Sequence, residues 1–425
     1  MPKSLTKPVR LLVLVYAISS LNLAAGEQNF CSPPPIRTDA LDNPSKHAWD
    51  LFLTLNHPAV DKQVERGKAD CGKPIGSPGT TSVWETWRNA NSEVFLDGGV
   101  EPPDWNDTKY PDEKPGQVPA DPKRSAVASF HELAFRNVNS KAIKPQFSPG
   151  DGVFDNKNGG FGETRMNRIT YEFIRNQCLF SAQGLIRYAK AVEQNKKPPI
   201  QLPVDSIEVK AAWLALEDPA HPVKNANTYY TAQYQGKKYG LVAWHLLTKD
   251  TPNWFWASFH HKDTPDNKEN EIPDTYGRPK ELNGTIWENY LLGGAQIDFI
   301  KTTGEATRLS DFYVEFNFQR SSCMTCHATA ATSDTGPMPS GLGQTLALCS
   351  MAPEQVKGGV VRCKQLLGES AFNANTGKLL VERGVPDPNW FKKNGLQYYQ
   401  QTDFLYSMPF RAQDESAAPP ARCVW

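Results

Sequence analysis

The sequence predicts an α+β fold. A helical N-terminal half packs on a mainly antiparallel β-sheet, and a C-terminal segment is built around Cys323-Met324-Thr325-Cys326-His327. Three observations carry this expectation. Apolar residues recur at helical spacing near residues 45–56 and 168–194, which puts them on one face of a 3.6-residue turn. Between residues 207 and 261 the period drops to two with a hairpin inside it, as in half-buried strands. The cysteine motif then marks the last quarter of the chain as the chemical part.

Taken in order, residues 1–26 join a basic start (Lys3, Lys7, Arg10), an apolar run from Leu11 to Ala17 and small residues at Ala24, Ala25 and Gly26. This is the make-up of a secretory signal peptide, too short to span a bilayer. A Pro-rich lead, Cys31 to Pro35, precedes a helix that Ser45 can cap and Asn56-His57-Pro58 stops. A second helical stretch is expected from Val83 towards Phe95. Residues 97–124 and 148–160 read as long polar loops. The strongest helical signal spans 168–194, with Gly184 as the expected break. Strands are expected at 207–213, in a 229–247 hairpin and at 253–261. After the polar loop 262–284, the run 310–318 reads as a strand delivering the chain to Cys323. The chain thus divides into the leader 1–26, a mainly helical region 27–200, a β-rich region 201–320 and a segment 321–425 that forms one compact unit with the β-rich region.

Cys323, Cys326 and His327 form a C-x-x-C-H run, the attachment signature of a c-type haem. Its two thiols match the two porphyrin vinyl groups, and the adjacent histidine supplies the proximal nitrogen to iron. With 8 Cys and 8 His in 425 residues, chance gives the pattern in roughly one such chain in 350, treating it as three independent matches. Structural zinc wants a second close ligand pair, which Cys349 and Cys363 do not make. A thioredoxin-like pair wants a βαβ frame that this neighbourhood lacks. One covalent haem c is therefore expected, which places the chain in the bacterial periplasm or outside the cell. Six cysteines remain, and an even remainder in an exported chain favours disulfides; Cys349–Cys363 and Cys31–Cys71 are the local choices.

The charge balance of 46 basic to 46 acidic residues implies neither a nucleic acid nor an anionic membrane partner. No later stretch approaches twenty apolar residues, so stable membrane insertion is not expected. The 11 Trp residues fit a heavy aromatic core or packing about a porphyrin.

Two residues are candidates for the distal iron position. His261 ends the strand Trp254-Phe255-Trp256-Ala257-Ser258-Phe259-His260-His261, where alternation sets Phe255, Ala257, Phe259 and His261 on one face. Met338, in Gly336-Pro337-Met338-Pro339, sits on a stiff turn within reach of the motif, as in the Met-Pro loops of small cytochromes c. His245 in Ala243-Trp244-His245 has the same ambiguity as His261. His131-Glu132 and Asp311 read equally as catalytic partners or as surface groups.

Several stretches together resemble the large exported bacterial cytochrome c family proteins with a single C-x-x-C-H. They are Ala48 to Asn56, Val83 to Trp87, Ile207 to Trp213, Trp254 to Phe259 with His261, and Ser322 to His327. That family commonly ends the strand motif Phe-Glu-His; here His260 replaces the Glu and His261 keeps the place, which ranks His261 first as distal ligand. Two functions follow. One is a monohaem cytochrome passing single electrons between redox partner proteins in the periplasm. The other is a haem enzyme or sensor with an open iron position, acting on a small oxidisable or diatomic ligand. A chain of this length is far larger than carrying one electron needs.

Overall fold

The computed structural model describes residues 39–107 and 160–425, apart from 63, 218–224, 235–236, 266, 316–318 and 381–383. The expected leader, Cys31, the Pro-rich lead and His131-Glu132 lie outside the described residues. The strands are β1 (Arg88–Asn89), β2 (Gly160–Met166), β3 (Ile207–Ala215), β4 (Thr231–Tyr234), β5 (Lys237–Thr248), β6 (Phe255–His261) and β7 (Tyr290–Gln296). Together they make one antiparallel sheet in the order β1-β2-β3-β5-β6-β7. β4 pairs only with the start of β5, through Thr231↔Gly240 to Tyr234↔Lys237.

The two faces of this sheet differ in chemistry, and side-chain alternation creates the difference. On the first face, Trp244, Phe255, Phe259 and Tyr290 meet the helix Pro44–Leu55, and Trp213 shares that face. Phe52 is in ring contact with Trp244, Phe259 and Trp287, while Trp49 meets Phe259 edge-on at 5.0 Å. Trp84 closes this layer against Trp213 and Trp244. Polar atoms buried here are paired: Trp84 Nε1 donates to Asn56 at 3.0 Å, and Trp213 Nε1 to Glu163 at 3.2 Å. On the second face, Glu208, Lys210, His245, Trp256, Ser258 and Gln296 look towards the C-terminal segment.

That segment returns to the sheet repeatedly. Gln296, at the end of β7, bonds Ser322; Ser407 donates to Glu208 at 2.6 Å, and Arg411 to Thr164 at 2.9 Å. Helices Ser340–Cys349 and Gly359–Leu367 are joined by the expected Cys349–Cys363 disulfide. The tail then reaches the N-terminal half: Arg187 pairs with Glu415, and Cys423 is bonded to Cys178. Cys71 is also disulfide-bonded. No helix among the described residues is long and apolar enough to cross a membrane.

The sheet is mainly antiparallel as expected, but the helical N-terminal half is not what the structure shows. Helices among the described residues lie mostly towards the C-terminus, and the N-terminal half contributes two strands to the sheet. The 83–95 stretch is a 3₁₀ turn (Val83–Thr86), then β1, then a π turn (Ala90–Val94). Trp84, Trp87 and Arg88 are all buried, so its apolar spacing records burial on every side and not one helix face. The 168–194 signal is two helices, Arg168–Asn176 and Ala182–Glu193. The break lies at Cys178, held at φ 57, before the Ser181 cap. Gly184 sits inside the second helix, where a Cβ would lie 2.0 Å from the Cys178 carbonyl oxygen. Asn43 caps the first helix in place of Ser45. The 310–318 strand is absent over its described part, because Asp311 accepts the N–H groups of Tyr313 and Val314 and folds the chain into a turn.

Candidate functional site

The short helix Cys323–His327 lies over the second face of the sheet, and several bonds fix it. Ser322 Oγ accepts the Thr325 N–H at 3.2 Å and the Gln296 amide at 2.8 Å. Thr325 Oγ1 donates to the Gly384 carbonyl at 2.6 Å, and Cys323 N–H to the Leu309 carbonyl at 3.2 Å. His327 Nδ1 stands 2.9 Å from the Phe404 carbonyl. A carbonyl only accepts, so Nδ1 carries the proton and Nε2 keeps its lone pair. Trp256 meets the His327 ring edge-on at 4.7 Å, and Tyr406 does so at 5.8 Å. Burial pushes His327 down to about 4, so the ring is neutral at pH 7.

The described cysteines fall into two populations. Cys71, Cys178, Cys349, Cys363 and Cys423 are disulfide-bonded, while Cys323 and Cys326 are free thiols. Burial, reinforced by the Glu315 carboxylate, pushes Cys326 up to about 12 and Cys323 well above the ordinary thiol range. Thiols held this high are not a low-pKa redox pair. No three His, Cys, Asp or Glu side chains among the described residues converge as a metal-holding group.

On this second face of the sheet, strand register builds a polar row of which sequence reading singled out only His245. Lys210 on β3 pairs with His245 on β5, and His245 pairs with Ser258 on β6. All three alternate onto the same face as Trp256. His245 Nε2 is 3.1 Å from Ser258 Oγ. Burial, then the charges of Lys210, His327 and His260, depress His245 well below its ordinary range. Burial lowers Lys210 too, against the pull of Glu315. Lys210, Glu315, Cys323, Cys326 and His327 are all half-buried and keep accessible surface. They therefore line an internal cleft and not packed core. The available signal was two charged residues, Glu208 and Lys210, on one side of an apolar strand. That pattern reads as a solvent face, but here the tail covers it.

His261 is on the other face. It stacks on Tyr229 at 3.6 Å, its Nε2 lies 3.2 Å from the Thr228 hydroxyl and carbonyl, and its Nδ1 accepts from the Asp263 N–H. Five residues of strand, about 16 Å, separate it from Trp256, which touches His327. The structure therefore does not bring His261 and His327 together. Met338 is buried in a small separate cluster with Ala331 and Phe391. His47, on the helix Pro44–Leu55, is buried and bonded to Asp250 at 2.7 Å.

Asp311, which the sequence left open between a catalytic and a surface role, is 2 % exposed, and its Oδ2 has no hydrogen-bond partner among the described residues. Burial, with Glu315 nearby, raises it to about 8. A folded pKa above the unfolded 3.8 means the folded chain holds the extra proton, so this group's stability contribution is lost as pH rises towards 8. Depressed histidines act oppositely, but only below their unfolded value near 6.5. Thermal stability should thus fall between pH 6.5 and 8, by about 2 kcal/mol for one proton held across that window. Asp311→Asn should flatten this arm of the melting-temperature profile; an unchanged slope would assign it elsewhere.

Comparison with family models, with curated proteins and with solved structures finds no match to this chain.

Proposed function

We propose that the chain is an exported c-type haem protein. It carries one haem through thioethers from Cys323 and Cys326, with His327 as the proximal ligand. The observation that carries this reading is one local contrast. Two unoxidised thiols at C-x-x-C spacing stand beside an imidazole whose Nδ1 is tied to a carbonyl and whose Nε2 makes no hydrogen bond among the described residues. That is the arrangement a proximal histidine needs, since the bond to Nδ1 fixes the tautomer that leaves Nε2 for iron. The cleft-lining position of all three residues fits a large flat group. The disulfides elsewhere agree with maturation outside the reducing cytoplasm, and a periplasmic or secreted location belongs to the same reading. The resemblance to exported bacterial cytochrome c family proteins supports it too.

When bound, haem supplies a one-electron centre. The protein's part is to orient His327 through Phe404, to limit its rotation with Trp256 and Tyr406, and to pin the attachment turn through Ser322 and Thr325. As an electron shuttle it would serve redox partner proteins in the periplasm. One observation favours the second reading, a haem enzyme or sensor with an open iron position: His261 lies on the sheet face opposite Trp256, which touches His327, and Met338 is buried in a separate cluster. Intact mass after acid denaturation should show one retained haem, and carbon monoxide should bind the ferrous protein readily. A chain without acid-stable haem would sink the proposal. Retained haem that excludes carbon monoxide would return the function to shuttling.

A further inference from the structure

We infer that Asp403 is a positioning residue for the proximal ligand: its carboxylate holds the turn that aims the Phe404 carbonyl at His327. The inference rests on the haem reading above and goes beyond it by naming what sets the donor strength of that ligand.

The backbone supplies the first argument. Asp403 and Phe404 are successive residues with positive φ, 48° and 66°. An L side chain crowds its own backbone in this region; aspartate tolerates it, whereas a bulky phenylalanine does so rarely. Phe404 is the residue whose carbonyl accepts the Nδ1 proton of His327 at 2.9 Å. The direction of that carbonyl therefore depends on torsions that persist only where the surroundings hold them.

The surroundings supply the second. One Asp403 carboxylate oxygen accepts from Lys249 Nζ at 2.6 Å and from Trp254 Nε1 at 3.3 Å. The other accepts the Leu202 N–H at 2.7 Å. Lys249 and Trp254 belong to the turn between β5 and β6, and Leu202 to the stretch leading into β3. One side chain thus ties the 402–405 turn to two parts of the sheet. The ion pair is shielded, with Lys249 13 % and Asp403 7 % exposed at their side chains. Trp254 is itself buried and left-handed, at φ 60°. Two residues beyond it, Trp256 meets both the His327 ring and the Phe404 ring. The turn's own backbone bonds, Thr402 N–H to Ala330 and Leu405 N–H to Thr402, stay within the C-terminal segment.

Chemistry supplies the third. A hydrogen bond from Nδ1–H to a carbonyl makes Nε2 the stronger base, and second-shell bonds of this kind are one lever on a haem potential. A carbonyl released from its left-handed turn swings away from Nδ1. His327 then donates less to iron, ferric iron is less stabilised, and the potential rises.

The test measures the midpoint potential of the holoprotein by spectroelectrochemical titration. Beside it, NMR of the ferrous protein follows solvent exchange of the His327 Nδ1 proton. Both are read in the unmodified protein and in Asp403→Ala, Asp403→Gly and Glu415→Ala. Asp403→Ala should favour ferrous iron about tenfold, a rise of about 59 mV for one electron, and should speed the exchange at least tenfold. Asp403→Gly keeps the left-handed freedom but not the carboxylate, so it should do the same. Glu415→Ala, which breaks the tail's ion pair with Arg187, should leave both quantities within twofold. If Asp403→Ala fails to fold, Lys249→Met is read in its place; it removes one of the three bonds and should move both quantities the same way by at least twofold. The inference is overturned if Asp403→Ala leaves either quantity within twofold, or if Asp403→Gly matches the unmodified protein. It is also overturned if Glu415→Ala shifts them as far as Asp403→Ala does, because the shift would then report general loosening. Acid-stable haem by mass is scored separately. In its absence the haem reading fails, and the Nδ1 proton alone decides whether Asp403 positions His327.

Discussion

Replacing both Cys323 and Cys326 with alanine should leave no haem that survives acid denaturation. Replacing Cys326 alone should leave at most one thioether and several-fold less holoprotein. The effect is large because attachment has no substitute nearby: the other described cysteines are bonded in disulfides. His327→Ala should behave differently, keeping the thioethers while changing the iron's spectrum, since only the axial nitrogen is lost. Intact mass and an optical spectrum of the three variants separate these roles. Acid-stable haem in the double cysteine variant would end the attachment proposal. The free thiols do not pack passively either. Met324, between them, is fully buried, and the bonds between Ser322 and Gln296 help hold the turn that carries both thiols against β7.

Removing the Cys178–Cys423 disulfide by paired alanines should cost more than removing Cys349–Cys363. The first closes 245 residues and the second 14. The loop-entropy account then gives about 5 kcal/mol against about 3 kcal/mol. The longer link also holds contacts that the shorter does not: Trp425 against Tyr188, and Glu415 on Arg187 and Ser181. Chemical denaturation midpoints of the two double variants should therefore fall in that order. The reverse order would mean that the tail stays docked without its covalent tie.

Much of the sheet was legible because its strands obey local rules. Ile207–Ala215, the β4–β5 hairpin and Phe255–His261 all show alternation or turn chemistry that needs no knowledge of the rest of the chain. Cys349–Cys363 was legible because a short loop closes easily. What failed depended on distant partners. Trp84 and Trp87 look like one helix face only if a single side of the stretch is buried, and here every side is. Alternation in β6 correctly separated His261 from Trp256, but nothing local said which face the C-terminal segment would cover. That choice made Trp256 and His245 neighbours of His327 and sent His261 into the aromatic layer. Lys210 was illegible for the same reason: a lysine on a strand is solvent-facing until a tail 200 residues later lies over it.

The bond between Cys178 and Cys423 has a consequence for how the molecule would show damage. It turns everything from β3 through the C-x-x-C-H motif into a covalent ring, with the Cys349–Cys363 ring nested inside. A protease that nicks the exposed stretch around Tyr276 opens the ring without releasing either arm. Both pieces stay joined at the sulfurs, and the cleft keeps both of its walls, the β3–β5 wall on one arm and the motif wall on the other. Such a nicked chain migrates as one species until it is reduced.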